Sequence, residues 1–351
     1  MLKENSFIDN EDYSIKYKEI EPIFELIEKK NLDLDYTFPL DNEKTEDGEN
    51  IPGEAFWIKI KDGNQSVEAK LYRPKNESDS LLVFAPGMPG DSSTWFEEKH
   101  VKKLIEDGYT IIAVRHNGTK LNIEGENDYV HSEERIQKGL KNEQETLGEQ
   151  KKYTLEETAK EYETILKIIA KKFKDIKIVG HSSGVLNLAY SLSNLPKEIT
   201  DKIKNFVSLS GFIGKYDKEK DFFDLGSKFS PQELKNFYTY CNESLNLEDP
   251  NKSVEQAKLI KEKIYSHKYP ENINFIQVTS DRDEYIPLES SKTFQDHLGR
   301  GLRVIDKTQK EGDFHDLKNL KPETLLRFLN MYHPTGKHSV EFTNKELKDN
   351  E

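Results

Sequence analysis

Short apolar segments alternate with amphipathic segments along most of the chain, and this alternation restricts the possible folds more than any other feature. Apolar runs typical of buried strands lie at 81–87, 109–118, 176–180, 205–211, 273–280 and 302–308. Helical patterns lie between or after them at 93–107, 154–172, 185–192 and 322–332. Such alternation is typical of a doubly wound sheet with mostly parallel strands. We therefore predict an α/β fold.

The predicted sheet divides the chain into unequal parts. The α/β domain should span 54–335, beginning with a hairpin that turns near Gly63. Its regular alternation is interrupted at 212–269, where no strand pattern occurs, and we predict a helical cap inserted there. An acidic extension with a linker, 1–53, should precede the domain, and a polar tail, 336–351, should follow it.

The net charge of −13 is concentrated in the extension, because residues 1–50 contain six lysines and fifteen acidic residues. An acidic balance disfavours nucleic acid as a partner, since phosphates would be repelled. No apolar run approaches the roughly 20 residues of a membrane-spanning helix, and the N-terminus has no signal-peptide pattern. A single cysteine, Cys241, excludes an internal disulfide. These features predict a cytoplasmic protein.

One motif carries chemistry, the sequence Gly-His-Ser-Ser-Gly at 180–184. It matches G-x-S-x-G and stands between a predicted strand and a predicted helix. A sharp turn there would lift the Ser182 hydroxyl above the sheet, at the positive end of a helix dipole. Ser182 is therefore the candidate nucleophile. The alternative is that Ser182 or Ser183 merely caps the helix.

A serine nucleophile needs a base, and in a doubly wound hydrolase that base comes after the last strand. His315 lies in a loop after the run 302–308 and is the best candidate. His297 falls inside a predicted helix, and His333 and His338 lie at or beyond the final helix. An ordinary surface histidine is the alternative for His315.

The base in turn needs a carboxylate to orient it. The strand at 273–280 is followed by Asp281 and Asp283, and either could reach a loop after the next strand. Each could instead be a turn residue or the ion-pair partner of Arg282. The position in the chain alone leaves both open.

The order of these residues on a strand–helix plan resembles the α/β-hydrolase superfamily over roughly 54–335. In that family the acid is often followed by D-x-x-V-P, which Asp283-Glu284-Tyr285-Ile286-Pro287 matches and Asp281 does not. The resemblance implies Asp283 as the acid and a cap or lid at 212–269. It also implies an oxyanion hole formed by the backbone N–H groups of Met88 and Ser183, although Pro86-Gly87-Met88 lacks the family's usual histidine.

These features predict a serine hydrolase that cleaves an ester, thioester or amide of a small acyl substrate, most simply a carboxylesterase or lipase-like enzyme. Ser182, His315 and Asp283 would form its triad. A peptidase or an acyltransferase would use the same residues, and a non-catalytic binding protein could keep the fold. No cofactor or metal is expected, since the chain has no H-E-x-x-H motif and too few cysteines for a structural zinc site.

Overall fold

The described strands, β1 to β10 in chain order, are Phe38–Pro39, Gly53–Asp62, Gln65–Pro74, Ser80–Ala85, Thr110–Arg115, Asp175–His181, Ile203–Leu209, Asn274–Ser280, Gly301–Asp306 and Lys337–Phe342. They form one sheet in the order β1-β2-β3-β5-β4-β6-β7-β8-β9-β10. The pairs β1–β2, β2–β3 and β3–β5 are antiparallel, and all the pairs that follow in this order are parallel. The predicted α/β class with a mostly parallel sheet is confirmed.

Helices cover both faces of the sheet. They are α1 Thr94–Glu106, α2 Leu155–Ile169, α3 Ser183–Leu192, α4 Lys197–Thr200, α5 Pro250–Ser266, α6 Leu288–Leu298 and α7 Pro322–Leu329. This computed structural model describes residues 31, 38–39, 48–63, 65–76, 78–88, 94–117, 153–215, 233, 236, 250–310, 314–332 and 336–343.

Alternating side chains of the strands divide the core into two apolar clusters. Val83 and Ile178 face the cluster under α2, α3, α5 and α6, whereas Leu82 and Val179 face the cluster under α1 and α7. Because both faces are covered, the central strands consist mostly of apolar residues, as parallel strands usually do. This explains why the sequence shows them so clearly.

The structure shows the predicted hairpin near Gly63 and the start of the helix predicted at 154–172 in detail. The hairpin of β2 and β3 closes between Asp62 and Gln65, with Gly63 at a φ of 59°. At the start of α2 the Thr154 hydroxyl accepts the Glu157 N–H at 3.1 Å, and the Glu157 carboxylate accepts the Thr154 N–H at 2.9 Å. That reciprocal pair satisfies two backbone donors at the helix start.

The predicted cap is described only in part. Residues 216–232, 234–235 and 237–249 lie outside the described residues. The last part of the interval is α5, whose Ala257 and Ile260 are buried in the same cluster as α2 and α3. This helix therefore belongs to the layer that covers the sheet, and it connects β7 to β8.

Short segments of the predicted extension and of the predicted tail pair with the sheet. Phe38–Pro39 pairs with β2, and the Asn31 amide donates to the Lys61 carbonyl at 2.8 Å. Lys337–Phe342 pairs with β9 as an edge strand, although it lies in the predicted tail 336–351. Its residues are almost all exposed, so the hydrophobic pattern of a buried strand is missing. The rest of the extension lies largely outside the described residues.

No helix in the described ranges is both long and apolar enough to cross a lipid bilayer.

Candidate active site

Ser182 occupies the turn between β6, which ends at His181, and α3, which begins at Ser183. Its φ of 49° and ψ of −118° are disfavoured for a residue with a Cβ atom and cost of order 1–3 kcal/mol. Three backbone hydrogen bonds hold it there. Its N–H donates to Leu209 at 2.9 Å, and its carbonyl accepts from Val185 at 3.2 Å and Phe212 at 3.0 Å. Strain retained in this way is typical of functional sites.

The glycines of the motif permit this turn. A Cβ atom on Gly180 would lie 2.8 Å from the Val185 nitrogen. A Cβ atom on Gly184 would overlap the carbonyl oxygens of Ala85 and Pro86 at the end of β4. Glycine at both positions therefore lets α3 start directly against the sheet, as the nucleophile elbow of a hydrolase requires.

His315 and Asp283 are in direct contact at the same end of the sheet. The His315 Nδ1 lies 3.1 Å from each carboxylate oxygen of Asp283, whose side chain is completely buried. The Asp283 Oδ1 also accepts the N–H groups of Tyr285 at 2.9 Å and Ile286 at 2.8 Å.

The environment of Asp283 favours its ionised form. Burial on its own would raise the pKa of this carboxyl. The hydrogen bond and charge of His315 and the two backbone N–H groups outweigh that effect, so the pKa of Asp283 is below its ordinary value. An ionised carboxylate at this position can hold the imidazole in one orientation.

Asp281, the competing aspartate, has a different surrounding. Its carboxylate lies 3.9 Å from the Arg282 Nε. The Arg282 guanidinium also donates to the Gln309 carbonyl at 2.9 Å and lies 4.3 Å above the Phe314 ring. The structure thus brings Asp283 to His315 and leaves Asp281 beside its neighbouring arginine.

Two rings border the imidazole of His315. The Tyr285 ring meets it edge-on with centroids 4.9 Å apart, and the His181 ring lies tilted at 5.0 Å. The His181 Nε2 is also 3.3 Å from the His315 carbonyl oxygen. Our sequence analysis gave no role to His181 or Tyr285. The position of His181 next to the candidate nucleophile was the signal that could have identified it.

The segment after β4 lies against the elbow. A Cβ atom on Gly87 would stand 3.1 Å from the Ser182 Cβ, so this backbone passes directly beside the serine. Met88 follows and packs partly against the core. Ser183, the other residue expected to donate, is the first residue of α3, where backbone N–H groups have no partner within the helix.

The structure does not place His297 or His338, two of the other histidines near the C-terminal end of the sequence, beside Asp283. The His297 Nε2 bonds the His267 carbonyl at 3.0 Å, and His338 lies on the edge strand β10. His333 lies outside the described residues. In the part of the chain that the structure describes, no three His, Cys, Asp or Glu side chains are grouped to hold a metal ion.

The two helical layers, the mostly parallel sheet and the strand–serine–helix turn together have the arrangement of an α/β-hydrolase fold, as the sequence resemblance implied. No protein-family model matches the chain, and no curated protein matches it.

Several solved structures are similar to this chain. The enol-lactonase from Burkholderia xenovorans LB400 is 10% identical with a TM-score of 0.48, over 77% of this chain and 98% of its own. Est1E from Butyrivibrio proteoclasticus with bound ferulic acid is 18% identical with a TM-score of 0.47, over 78% and 99%. An esterase from Exiguobacterium antarcticum is 13% identical with a TM-score of 0.47, over 75% and 97%.

Proposed function

We propose that this protein is a serine hydrolase that cleaves an ester, thioester or amide bond of a small acyl substrate. The observation that carries the proposal is the contact of His315 with the buried Asp283 beside a strained serine turn. A helix cap would not need a serine with positive φ, and a surface histidine would not need a buried carboxylate. Within this class a carboxylesterase or lipase-like activity is our first choice.

The proposed reaction begins with attack of the Ser182 Oγ on the acyl carbon. His315 takes the hydroxyl proton on Nε2, because its Nδ1 faces Asp283. The negative charge that develops on the acyl oxygen is stabilised by the backbone N–H groups of Met88 and Ser183. The leaving group receives the proton from His315, and an acyl-serine remains.

A water molecule then completes the cycle. His315 removes one proton from the water while the water oxygen attacks the carbonyl carbon of the acyl-serine. The second tetrahedral intermediate collapses, the proton returns to the Ser182 oxygen, and the carboxylic acid leaves. Apart from the substrate and water, these steps use only side-chain and backbone groups of the chain.

Labelling with a fluorophosphonate tests the proposal, since such a probe bonds covalently to an activated serine. The protein should become labelled and should release p-nitrophenol from short p-nitrophenyl esters. Absence of both labelling and turnover would favour the alternative of a non-catalytic binding protein. Turnover of peptide amides far above esters would instead assign a peptidase, and transfer to an added alcohol above hydrolysis would assign an acyltransferase.

A further inference from the structure

His181 lies at the meeting point of the three segments that carry the proposed chemistry. It is the last residue of β6 and directly precedes Ser182. A Cβ atom on Gly87 would stand 2.9 Å from its Nδ1, so its ring lies against the segment of the proposed oxyanion hole. Its Nε2 lies 3.3 Å from the His315 carbonyl oxygen, and only 5% of the residue is exposed.

The contact with a carbonyl oxygen defines the tautomer of His181. A carbonyl only accepts hydrogen bonds, so the Nε2 must carry the proton and donate it. Burial and the neighbouring His315 lower the pKa of His181 to about 4, although Asp316 and Asp283 act in the opposite direction. His181 is therefore neutral near pH 7. A neutral ring beside His315 adds no positive charge when His315 itself becomes protonated.

The carboxylate nearest to His181 is a weaker partner than the carbonyl. The Asp316 Oδ1 is 3.8 Å from the Nε2, which is beyond hydrogen-bond distance. Asp316 is also 3.7 Å from the Lys318 Nζ and is partly exposed. The hydrogen bond to the His315 backbone is thus the specific link between the two histidines.

We propose that His181 is a positioning residue, which ties the backbone of the base His315 to the nucleophile turn through its Nε2–H. This inference rests on the proposed function. Asp283 orients the His315 ring through Nδ1, and it lies on a separate loop after β8. His181 provides the complementary link, from the segment that carries the serine to the segment that carries the base.

Two substitutions of His181 distinguish the effect of its hydrogen bond from the effect of its ring packing. His181→Phe keeps a planar ring and removes the donor, whereas His181→Gln keeps an amide N–H that can reach the carbonyl. His297→Phe is the matched control, because the His297 Nε2 also bonds a backbone carbonyl, that of His267, at 3.0 Å. Asp316→Asn tests the alternative that the carboxylate is the important partner. The measurements are kcat and KM on one short ester, the rate of fluorophosphonate labelling and Tm.

We expect His181→Phe to lower kcat and the labelling rate by roughly 10–100-fold, with KM within about threefold, because a small displacement of a catalytic group has effects of this size. His181→Gln should restore both rates to within about threefold of wild type. His297→Phe and Asp316→Asn should keep kcat near the wild-type value, whatever their Tm.

Several results would overturn the inference. Equal rates for His181→Phe and wild type would do so, as would equal losses in the Phe and Gln variants. If His181→Phe does not fold, His181→Met, which also lacks the donor, replaces it. Failure of both to fold while His181→Gln is fully active would show a structural role only. Absence of labelling in the wild type would instead contradict the proposed function itself.

Discussion

The Nδ1 of His315 lies 3.1 Å from both carboxylate oxygens of the fully buried Asp283. The two residues are 32 positions apart and come from the loops that follow two adjacent parallel strands, β8 and β9. Because the carboxyl ends of parallel strands lie at one edge of the sheet, the topology places these loops together. The contact between Asp283 and His315 then requires only that the loop after β8 carries the carboxylate and that the loop after β9 carries the imidazole.

Replacing this carboxylate should impair catalysis. Asp283→Asn preserves the shape but can favour the wrong histidine tautomer, a change that costs about 10⁴ in serine proteases. We expect a loss of about 10²–10⁴ in kcat with little change in KM. Steady-state kinetics on one short ester measure it.

Asp281→Asn is the matched control, since Asp281 faces Arg282 and not His315. It should lose less than about tenfold in kcat, a barrier change under about 1.4 kcal/mol. If the two variants exchanged this ranking, the acid would be Asp281. Equal and mild losses of kcat in both variants would show that neither Asp281 nor Asp283 orients the base.

Gly184, which lets α3 begin directly against the sheet, should be essential for the fold of the turn and for labelling. In Gly184→Ala the new methyl group meets the carbonyl oxygens of Ala85 and Pro86, so the turn of Ser182 cannot keep its shape. We expect lower stability, by roughly 1–3 kcal/mol or more, together with loss of fluorophosphonate labelling. Thermal unfolding and gel fluorescence measure the two effects.

Gly299→Ala is the control for this substitution. Gly299 has a φ of 69° at the end of α6, and a Cβ atom there meets nothing within 4 Å. It should lose about 1–2 kcal/mol from backbone strain alone and keep its labelling. Normal labelling of Gly184→Ala would mean that the turn tolerates the methyl group, contrary to the geometry.

His100 should contribute to acid sensitivity of the fold. It is fully buried on α1 beside Phe96, and burial lowers its pKa to about 3. An unfolded histidine titrates near 6.5, so the unfolded chain binds more protons between these two values. The contribution of the neutral His100 to the free energy of unfolding is therefore fully present above about pH 6.5, and it is lost as the pH falls towards 3.

Urea unfolding at pH 7 and pH 5 tests this effect. Between these values the wild type should lose up to about 2 kcal/mol more than His100→Leu, since one extra proton corresponds to about 1.4 kcal/mol per pH unit. Parallel losses in the two proteins would show that His100 does not remain neutral in the native state.

The buried strands and the serine turn could be predicted from sequence for one physical reason. Strands such as β6 and β8 are covered on both faces, so apolar residues predominate in their middle, although β6 contains Lys177 and β8 contains Gln277. Gly180 is required by a contact within the turn, with the Val185 nitrogen, whereas Gly184 is required by the carbonyl oxygens of Ala85 and Pro86. Both glycines could still be recognised from sequence, because they form one contiguous motif with Ser182.

Features that depend on distant partners could not be predicted in this way. The strand β10 is polar and exposed, and backbone pairing with β9 is what makes it a strand. The helix α5 falls in the interval 212–269, where we predicted a cap because no strand pattern occurs, and its packing on α2 and α3 joins residues about 70–100 positions apart. The link from His181 to the His315 carbonyl spans 134 positions and uses a backbone atom, which no side-chain motif records.

The assignment of Ser182 as the nucleophile is tested most directly by covalent labelling of three proteins. Wild type, Ser182→Ala and Ser183→Ala are treated with a fluorophosphonate, and the modified peptide is identified by mass spectrometry. Ser183 is the appropriate control because it is adjacent to Ser182, but it is buried and its φ is not positive, whereas Ser182 is partly exposed and has a φ of 49°. We predict labelling of Ser182 in the wild type and in Ser183→Ala, and none in Ser182→Ala. Labelling that persists in Ser182→Ala and disappears in Ser183→Ala would contradict the account.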